Sequence, residues 1–190
     1  MDKTSKKIID ATMELILEKG YNSATTKDIA DRAQVNECTI FRKFKEKKEI
    51  VIAGLKLPQY RPDISPDTFA DIKWDLQSDL KMFMRNYMEA VTPEFVRLSI
   101  GLRSPQIYQY TAPYIMDIPK TFYDALKNYL MEMKTRGEIA DIDCANTAMT
   151  VLSATFGYTF LCASFGNALI ESDKAKYIDT TVKSLIGGIK

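Results

Sequence analysis

The apolar positions of this chain recur with the spacing of α-helices rather than with the alternation of strands. In the first fifty residues they mark a helix from Lys6 to Gly20 and then two shorter segments on either side of a polar turn. Ile29 and Ala33 carry the pattern on the first short segment, and Ile40 and Phe44 carry it on the second. Because residues three or four apart share a helix face, these side chains hold the two segments together. The pattern predicts a helix-turn-helix.

The same period continues through the rest of the chain and predicts further helices and no strands. One helix is expected from Asp67 to Val91, and its solvated face should carry Asp71, Asp75 and Asp79. Proline stands at the expected first position of three helices, at Pro66, Pro93 and Pro119. We expect about nine helices and an all-α fold, with a helix-turn-helix domain at residues 1–50 and a larger helical domain at residues 51–190.

The outward positions of the second short segment are typical of a helix that lies in a DNA major groove. Its first residues are short and basic residues follow, as expected where base edges are met first and phosphates further along. Between Asn36 and Lys48 there are five basic and two acidic residues, although the net charge of the whole chain is only +1. A basic run is more often a solvated face than a binding surface. On a helix of this kind it favours DNA binding, because neutralised phosphates release counterions.

The order of these residues resembles the N-terminal domain of the TetR family of transcriptional repressors. The first helix ends in Gly20-Tyr21, and the chain then reads Thr-Thr-x-x-Ile-Ala-x-x-Ala and Val-Asn-x-x-Thr-Ile-Phe-x-x-Phe-x-x-Lys. The similarity extends roughly from Lys6 to Val51. Three positions depart from the family: glycine is usual where this chain has Gln34 and Cys38, and tyrosine is usual where it has Phe41.

We predict that DNA is contacted by the starts of the helices and by the outward face of the second short segment. Thr25 and Thr26 can cap a helix or hold a phosphate. Lys27 and Lys47 are cations at helix starts, which the helix dipole disfavours unless an anion is bound nearby. Arg42 can form a bidentate pair with guanine. The predicted set is Thr25, Thr26, Lys27, Asn36, Glu37, Cys38, Thr39, Phe41, Arg42, Lys43 and Lys47.

The resemblance implies that the middle helices of the larger domain enclose a small-molecule effector, whose binding weakens the hold on the DNA operator. Aromatic and methionine side chains are dense there, although such a stripe is more often core than ligand site. If a cavity is present, we predict that it is lined by Phe83, Met84, Tyr87, Tyr123, Leu126, Leu152 and Phe156. Few ionisable residues interrupt these faces, so a hydrophobic or aromatic effector is favoured.

The resemblance also implies a homodimer formed by the last two helices. The predicted interface residues are Tyr158, Leu161, Cys162, Phe165, Ile178, Val182, Leu185 and Ile186. A two-fold dimer presents two recognition helices to double-stranded DNA, so a palindromic operator is expected.

Other functions remain open at this stage. A regulator that activates transcription, or that binds DNA without sensing a ligand, has the same motif. An all-helical enzyme or ligand carrier is disfavoured, because the chain has no histidine and no glycine-rich phosphate loop. Its three cysteines, Cys38, Cys144 and Cys162, lack metal-ligand spacing, so no metal and no cofactor are predicted.

One uncharged stretch, from Cys144 to Ile170, is long enough to cross a bilayer. Eight of its 27 residues are Asn, Thr or Ser, and acidic residues precede it. We therefore interpret it as a buried helix rather than a membrane span. The start of the chain lacks the features of an export signal, so a cytoplasmic protein is expected.

Overall fold

The computed structural model describes residues 1–170 and 173–187, and the regular structure in these ranges is helical throughout. The helices are α1 (Lys3–Ser23), α2 (Thr26–Ala33), α3 (Glu37–Lys43), α4 (Lys47–Leu55), α5 (Leu76–Ala90), α6 (Pro93–Gly101), α7 (Tyr108–Thr135), α8 (Cys144–Phe165) and α9 (Lys174–Ile186). Three short 3-10 turns lie at Pro58–Tyr60, Pro66–Phe69 and Gly166–Ala168. The predicted all-α fold with about nine helices is confirmed for this part of the chain.

The described residues pack into two compact units. The first consists of Met1–Pro62 and Glu94–Met116, and the second of Asp63–Pro93 and Asp117–Lys190. The first unit therefore holds the helix-turn-helix together with α6 and the first turns of α7. The functional division near residue 50 stays a prediction, because packing alone does not report which residues bind DNA.

Helix α1 is the support of the first unit, since both α2 and α4 pack against it. Ile9 and Met13 on α1 are fully buried. Gly54 lets α4 come close to them: a Cβ atom added there would lie 2.8 Å from the Met13 Sδ atom. Close packing of this kind leaves little freedom for the helices to shift against one another. The small residue on α4 thus determines how near that helix lies to α1.

Helix α7 starts earlier than the sequence predicts. The expected start at Pro119 was wrong, because the helix already begins at Tyr108 and runs through that proline. Its first turns are anchored by the buried side chain of Ile115, and the Thr111 hydroxyl donates to the Leu102 carbonyl at 2.9 Å. Proline removes one backbone donor from a helix interior. Tertiary packing of the flanking turns offsets that loss.

Helix α5 starts later than predicted, at Leu76 rather than near Asp67. Residues 70–75 are not helical, and within this segment Trp74 has a left-handed φ of 60°. The Asp75 side chain then caps α5 by accepting the Ser78 backbone N–H at 2.8 Å. The predicted long helix is therefore divided into a 3-10 turn, a connecting segment and α5.

Asp79 was predicted on the solvated face, but the structure buries it, with only 1% of its surface exposed. Its carboxylate accepts the Lys73 backbone N–H at 2.9 Å and the Tyr129 hydroxyl at 3.0 Å. The Trp74 ring stacks on Tyr129 at 5.9 Å, and the Arg136 guanidinium lies 3.4 Å from the Trp74 ring centre. Buried charges are tolerated where hydrogen bonds satisfy them. Asp79 thereby ties the connecting segment to the core of the second unit.

We predict that Tyr129→Phe lowers the free energy of unfolding by about 1.5–3 kcal/mol, because the buried Asp79 carboxylate loses a hydrogen-bond donor. Urea denaturation followed by circular dichroism measures this. Tyr123→Phe is the matched control, since the half-buried Tyr123 hydroxyl makes no hydrogen bond to the described residues. Equal stability of the two variants would contradict the assigned role of Asp79.

Candidate DNA interface and effector site

Helices α2 and α3 form the helix-turn-helix, and their facing side chains are buried. Ile29 on α2 is fully buried and Ile40 on α3 is 1% exposed. The turn between them depends on Gln34, whose φ of 55° is left-handed. Its backbone N–H donates to the carbonyls of Ala30 and Asp31, which ends α2. The backbone of the motif is thus held from the inside, and the other face of α3 stays available.

Thr25 caps α2 and closes a capping box with Asp28. Its hydroxyl accepts the Asp28 N–H at 3.1 Å and donates to the Asp28 carboxylate at 2.6 Å. The Lys19 ammonium also donates to this carboxylate, at 2.8 Å, and this bond holds the pKa of Asp28 well below its usual range. The structure therefore supports a capping role for Thr25, whose hydroxyl donates its proton to the Asp28 carboxylate within the protein.

Lys47 was predicted to contact phosphate, but its ammonium is used inside the first unit. It donates to the carbonyls of Tyr21 and Ala24 at 2.7 Å and 2.8 Å, and it lies 4.1 Å from the centre of the Tyr21 ring. Partial burial lowers the pKa of this lysine. These contacts satisfy two carbonyl groups near the end of α1 and join α4 to them. Lys47 is a structural residue in this conformation.

The start of α3 is anchored to α2. The Asn36 side chain caps α3 by accepting the Cys38 backbone N–H at 2.8 Å. The Glu37 carboxylate accepts the Thr26 hydroxyl, so these two predicted DNA contacts bind each other. Their arrangement sets the position of the recognition helix relative to α2.

The end of α3 is anchored to the start of α1. The Lys43 ammonium donates to the Asp2 carboxylate at 2.9 Å. Asp2 also caps α1 by accepting the backbone N–H groups of Thr4 and Ser5. The hydrogen bond from the Ser5 hydroxyl and the Lys43 ammonium lower the pKa of Asp2. An exposed ion pair of this kind contributes little stability, so Lys43 can exchange Asp2 for a phosphate at small cost.

The remaining predicted DNA contacts point outward. Arg42 and Lys27 are exposed, and neither forms an ion pair with any described residue. Cys38 is exposed as a free thiol, and Phe41 keeps 53% of its surface exposed. Thr39 is half-buried beside them. The outer face of α3 therefore combines one unpaired guanidinium with apolar and small side chains.

In the second unit, most of the predicted effector residues are buried. Phe83, Met84 and Leu126 are fully buried, Tyr87 is 1% exposed and Leu152 is 8% exposed. Tyr123 and Phe156 are only half-buried. Phe156 stacks on Phe160 of the same helix at 6.1 Å. Sequence reasoning missed other aromatic members of the buried group, because their spacing matches that of ordinary core residues.

These missed residues complete an aromatic cluster, which consists of Phe69, Phe83, Tyr87, Phe122 and Tyr129. The Phe69 and Phe83 rings stack at 5.2 Å, and the Tyr87 ring meets Phe122 edge-on at 5.1 Å. Phe122 also contacts Phe69 and Phe83. Aromatic pairs at these separations attract each other beyond their buried area. The aromatic cluster joins α5 and α7 with the 3-10 turn that carries Phe69.

The predicted interface residues of α9 lie mainly in the core of their own protomer. Ile178 is 3% exposed, Val182 is fully buried and Ile186 is 8% exposed, while Leu185 is half-buried. Helix α9 packs against α5, and the Lys81 ammonium on α5 donates to the Asp179 carboxylate. An apolar face that is buried against one partner is not available to another. This face of α9 therefore packs within the second unit.

Helix α8 differs, because part of its apolar surface is uncovered. It is long and apolar enough to cross a membrane by length and composition, and 33% of its most apolar window is buried. Tyr158 is buried and stacks on Tyr177 at 4.2 Å, and Leu161 and Cys162 are half-buried. We call the uncovered part the α8 stripe, and its members are Met149, Ser153, Phe156 and Phe160, of which the two phenylalanines are half-buried.

Comparison with known proteins decides the family. Residues 8–53 match the sequence profile of bacterial regulatory proteins of the tetR family. Over its full length the chain is 31% identical to YvkB, an uncharacterized HTH-type transcriptional regulator from Bacillus subtilis (strain 168), and the similarity covers 98% of that protein. The chain belongs to the tetR family. It is accordingly a transcriptional regulator, as its N-terminal motif predicts.

Solved structures share the fold of this tetR-family regulator. FadR from Bacillus subtilis, a transcriptional regulator in complex with stearoyl-CoA, superposes with a TM-score of 0.67 at 21% identity, over 97% of this chain and 99% of FadR. AibR, in complex with isovaleryl coenzyme A and operator DNA, gives a TM-score of 0.65 at 16% identity, over 96% of this chain and 97% of AibR.

Among the basic residues of this regulator, Lys45 was not singled out from the sequence. Its side chain is exposed directly after α3 and makes no ion pair with the described residues, whereas the neighbouring Lys48 pairs with Glu46 at 2.7 Å. The basic run was visible in the sequence. The spacing of the basic residues does not show which of them form ion pairs within the protein, because those pairs depend on contacts made by the folded chain.

We predict that Lys47→Met lowers the free energy of unfolding by about 1–3 kcal/mol, because two part-buried carbonyl groups lose a charged donor. Chemical denaturation measures the loss. Lys45→Met is the matched control and should change stability by less than about 0.5 kcal/mol, since exposed cations rarely matter. If Lys47→Met unfolds like the unmodified protein, the ammonium is not a structural link.

Proposed function

We propose that this tetR-family regulator is a repressor that binds a palindromic operator as a homodimer and is released by a small apolar effector. The N-terminal residues 1–50 read the DNA, and residues 51–190 bind the effector and form the dimer. The observation that carries the proposal is the outer face of α3, where Arg42 is exposed and unpaired while both helix ends are anchored. With chromosomal DNA as the target, the protein acts in the cytoplasm.

The DNA contacts divide into those that position the protein and those that read bases. Lys27, Lys43 and Lys45 supply positive charge around the recognition helix and neutralise phosphates. Arg42 is the base reader, because its guanidinium offers two parallel donors to guanine in the major groove. Cys38 and Phe41 add apolar contacts that favour the thymine methyl group over other base edges.

Arg42→Ala should weaken operator binding by about 10- to 100-fold and relax the preference at one base pair, as expected for loss of a bidentate guanine contact. The operator is first obtained by selection from random duplexes, and binding is then followed by fluorescence anisotropy at fixed salt.

Arg32→Ala is the control, because that arginine is already paired with Glu14 and Glu18 on α1. It should leave operator affinity almost unchanged. Undiminished binding by Arg42→Ala would remove Arg42 from the interface and leave the family assignment intact.

The homodimer is formed through the α8 stripe rather than through the buried face of α9. Met149 is 46% exposed and Ser153, one turn later, is exposed beside it, although both lie on a helix without any charged residue. Exposed apolar stripes of this length mark protein interfaces. Gly157 has open space around its Cα atom, so another backbone can approach there. A two-fold pairing of α8 with its copy covers the stripe and spaces two α3 helices for a palindrome.

A double variant, Met149→Glu with Ser153→Glu, should sediment as a monomer at concentrations where the unmodified protein is a dimer. Burial of four carboxylates in one two-fold interface costs more free energy than the apolar contacts of that interface contribute. Analytical ultracentrifugation measures the mass. Met131→Glu introduces the same charge at another exposed methionine of the second unit and should leave the dimer intact. A dimeric double variant would place the interface elsewhere.

The effector is bound beside the aromatic cluster of the second unit. AibR and FadR have the same fold and were solved with acyl-coenzyme A ligands, which supports a ligand-binding role for a protein of this fold. The coupling between effector binding and operator binding must be reciprocal: if the effector weakens operator binding, the operator weakens effector binding by the same factor. The switch requires only that the effector prefers a conformation unsuited to the operator.

A further inference from the structure

Glu37 places a carboxylate on the helix that is proposed to enter the major groove. It is the first residue of α3 and is half-buried. The basic run from Asn36 to Lys48 contains one other acidic residue, Glu46, which pairs with Lys48 at 2.7 Å. Glu37 forms no ion pair with the described residues. Because DNA phosphates repel a carboxylate without a cation partner, Glu37 weakens DNA binding unless it meets a donor on the bases.

Thr26 fixes the direction of this carboxylate. Its hydroxyl lies on the first turn of α2 and donates to the Oε1 atom of Glu37. Both residues are half-buried, so water reaches the bond only in part. The Oε2 atom of Glu37 makes no hydrogen bond to the described residues. One oxygen is therefore used to orient the side chain, and the other stays available as an acceptor.

The chemistry of a carboxylate selects one base edge in the major groove. Its oxygens accept hydrogen bonds and have none to donate. Guanine presents the acceptors N7 and O6 in this groove, and thymine presents the acceptor O4. Adenine offers its N6 amino group, but the N7 acceptor lies beside it. The N4 amino group of cytosine has no acceptor next to it on the same base, so a fixed carboxylate favours cytosine.

We propose that Glu37 reads a cytosine of the operator by accepting a hydrogen bond from the N4 amino group. Thr26 is the positioning residue that holds Glu37 for this contact. The assignment rests on the DNA binding proposed for α3, and it adds the identity of one base and of the residue that selects it. It is additional to the guanine contact of Arg42, which lies five residues further along the helix.

Glu37→Gln separates base reading from anchoring. The glutamine carbonyl still accepts the Thr26 hydroxyl, while its amide gains donors and suits adenine through N6 and N7. Operators are selected from random duplexes, in parallel with the unmodified protein and with the variant. A cytosine in each half-site of the first selection should become adenine in the second, with the other positions unchanged. The same sequence from both selections would leave Glu37 with a structural role only and would overturn the proposal.

Asp31→Asn is the matched control for the loss of one negative charge. Asp31 is an exposed acidic residue of α2 and forms no ion pair with the described residues. Its variant should select the same sequence as the unmodified protein. A change to adenine with this variant as well would show that charge alone alters the selection, and the base contact of Glu37 would be rejected.

Removal of the amino group from the DNA tests the contact from the other side. In the selected duplex, the cytosine of one half-site is replaced by pyrimidin-2-one, which lacks the N4 amino group, and binding is followed by fluorescence anisotropy. The unmodified protein should lose about tenfold in affinity, as for one hydrogen bond to a charged acceptor. Glu37→Ala should lose less than about twofold. Equal losses for the two proteins would mean that the amino group acts through base pairing alone, against the proposal.

The role of Thr26 is tested by the same ratio of affinities for the cytosine and pyrimidin-2-one duplexes. Thr26→Val removes the hydroxyl and should reduce the ratio to below about threefold, whereas Thr26→Ser keeps the hydroxyl and should restore it. A phosphate contact by Thr26 would change both affinities alike and leave the ratio unaltered. An unchanged ratio for Thr26→Val would therefore remove Thr26 as the positioning residue.

Failure of the DNA-binding function has a different result. If the unmodified protein enriches no duplex at low salt, the proposed function fails and the cytosine contact fails with it. If it enriches a palindrome whose sequence does not depend on Glu37, DNA binding stands and the cytosine contact alone is overturned.

Discussion

A seven-residue helix cannot hold its own shape in water, because the first turn costs more conformational entropy than its few hydrogen bonds return. Helix α3 has this length, and its position must come from the helices around it. Ile40 supplies the buried contact, Thr26 fastens its first turn through Glu37, and Asp2 fastens its last through Lys43. The bond between Thr26 and Glu37 uses a hydroxyl and one carboxylate oxygen that could otherwise have met DNA, whereas the exposed pair of Lys43 and Asp2 can open for a phosphate. Because some residues anchor α3 and others face outward, this short helix is held rigidly while its outer face can contact DNA bases.

The second unit solves a related problem with a buried carboxylate. The segment before α5 has no regular structure of its own around Trp74, yet it covers one side of the aromatic cluster. Asp79 holds this segment by accepting a backbone N–H from it, and Tyr129 satisfies the second oxygen from α7. One buried acidic side chain therefore links three parts of the chain.

Sequence periodicity was sufficient for the helix-turn-helix, since Ile29 and Ile40 recur at helical spacing and Thr25 and Asn36 are strong capping residues. It failed where the partner of a side chain is distant in sequence. Lys47 appears as a free cation at a helix start, and only the fold brings the Tyr21 and Ala24 carbonyls to it. Asp79 appeared solvated because a helix was expected to begin well before it.

The apolar stripe of α9 shows the same limit. Ile178 and Val182 lie on one face, and periodicity correctly identifies that face as covered. It cannot say whether the cover is α5 of the same protomer or a second subunit, because both interfaces select the same side chains. On α8 the folded protomer leaves the face that carries Met149 and Ser153 exposed, and this exposure is the basis of the dimer interface proposed above.

Gln34 shows which structural features are shared within the family and which are not. A left-handed backbone conformation at a non-glycine residue costs roughly 1 kcal/mol, and the family avoids this with glycine. Here the cost is accepted, because the Gln34 N–H still closes α2 on the Ala30 and Asp31 carbonyls. The turn geometry is thus imposed by the packing of α2 against α3 and does not require glycine. Backbone placement is shared across the family for that reason, whereas the side chains on the outer face of α3 are free to differ and set which operator is read.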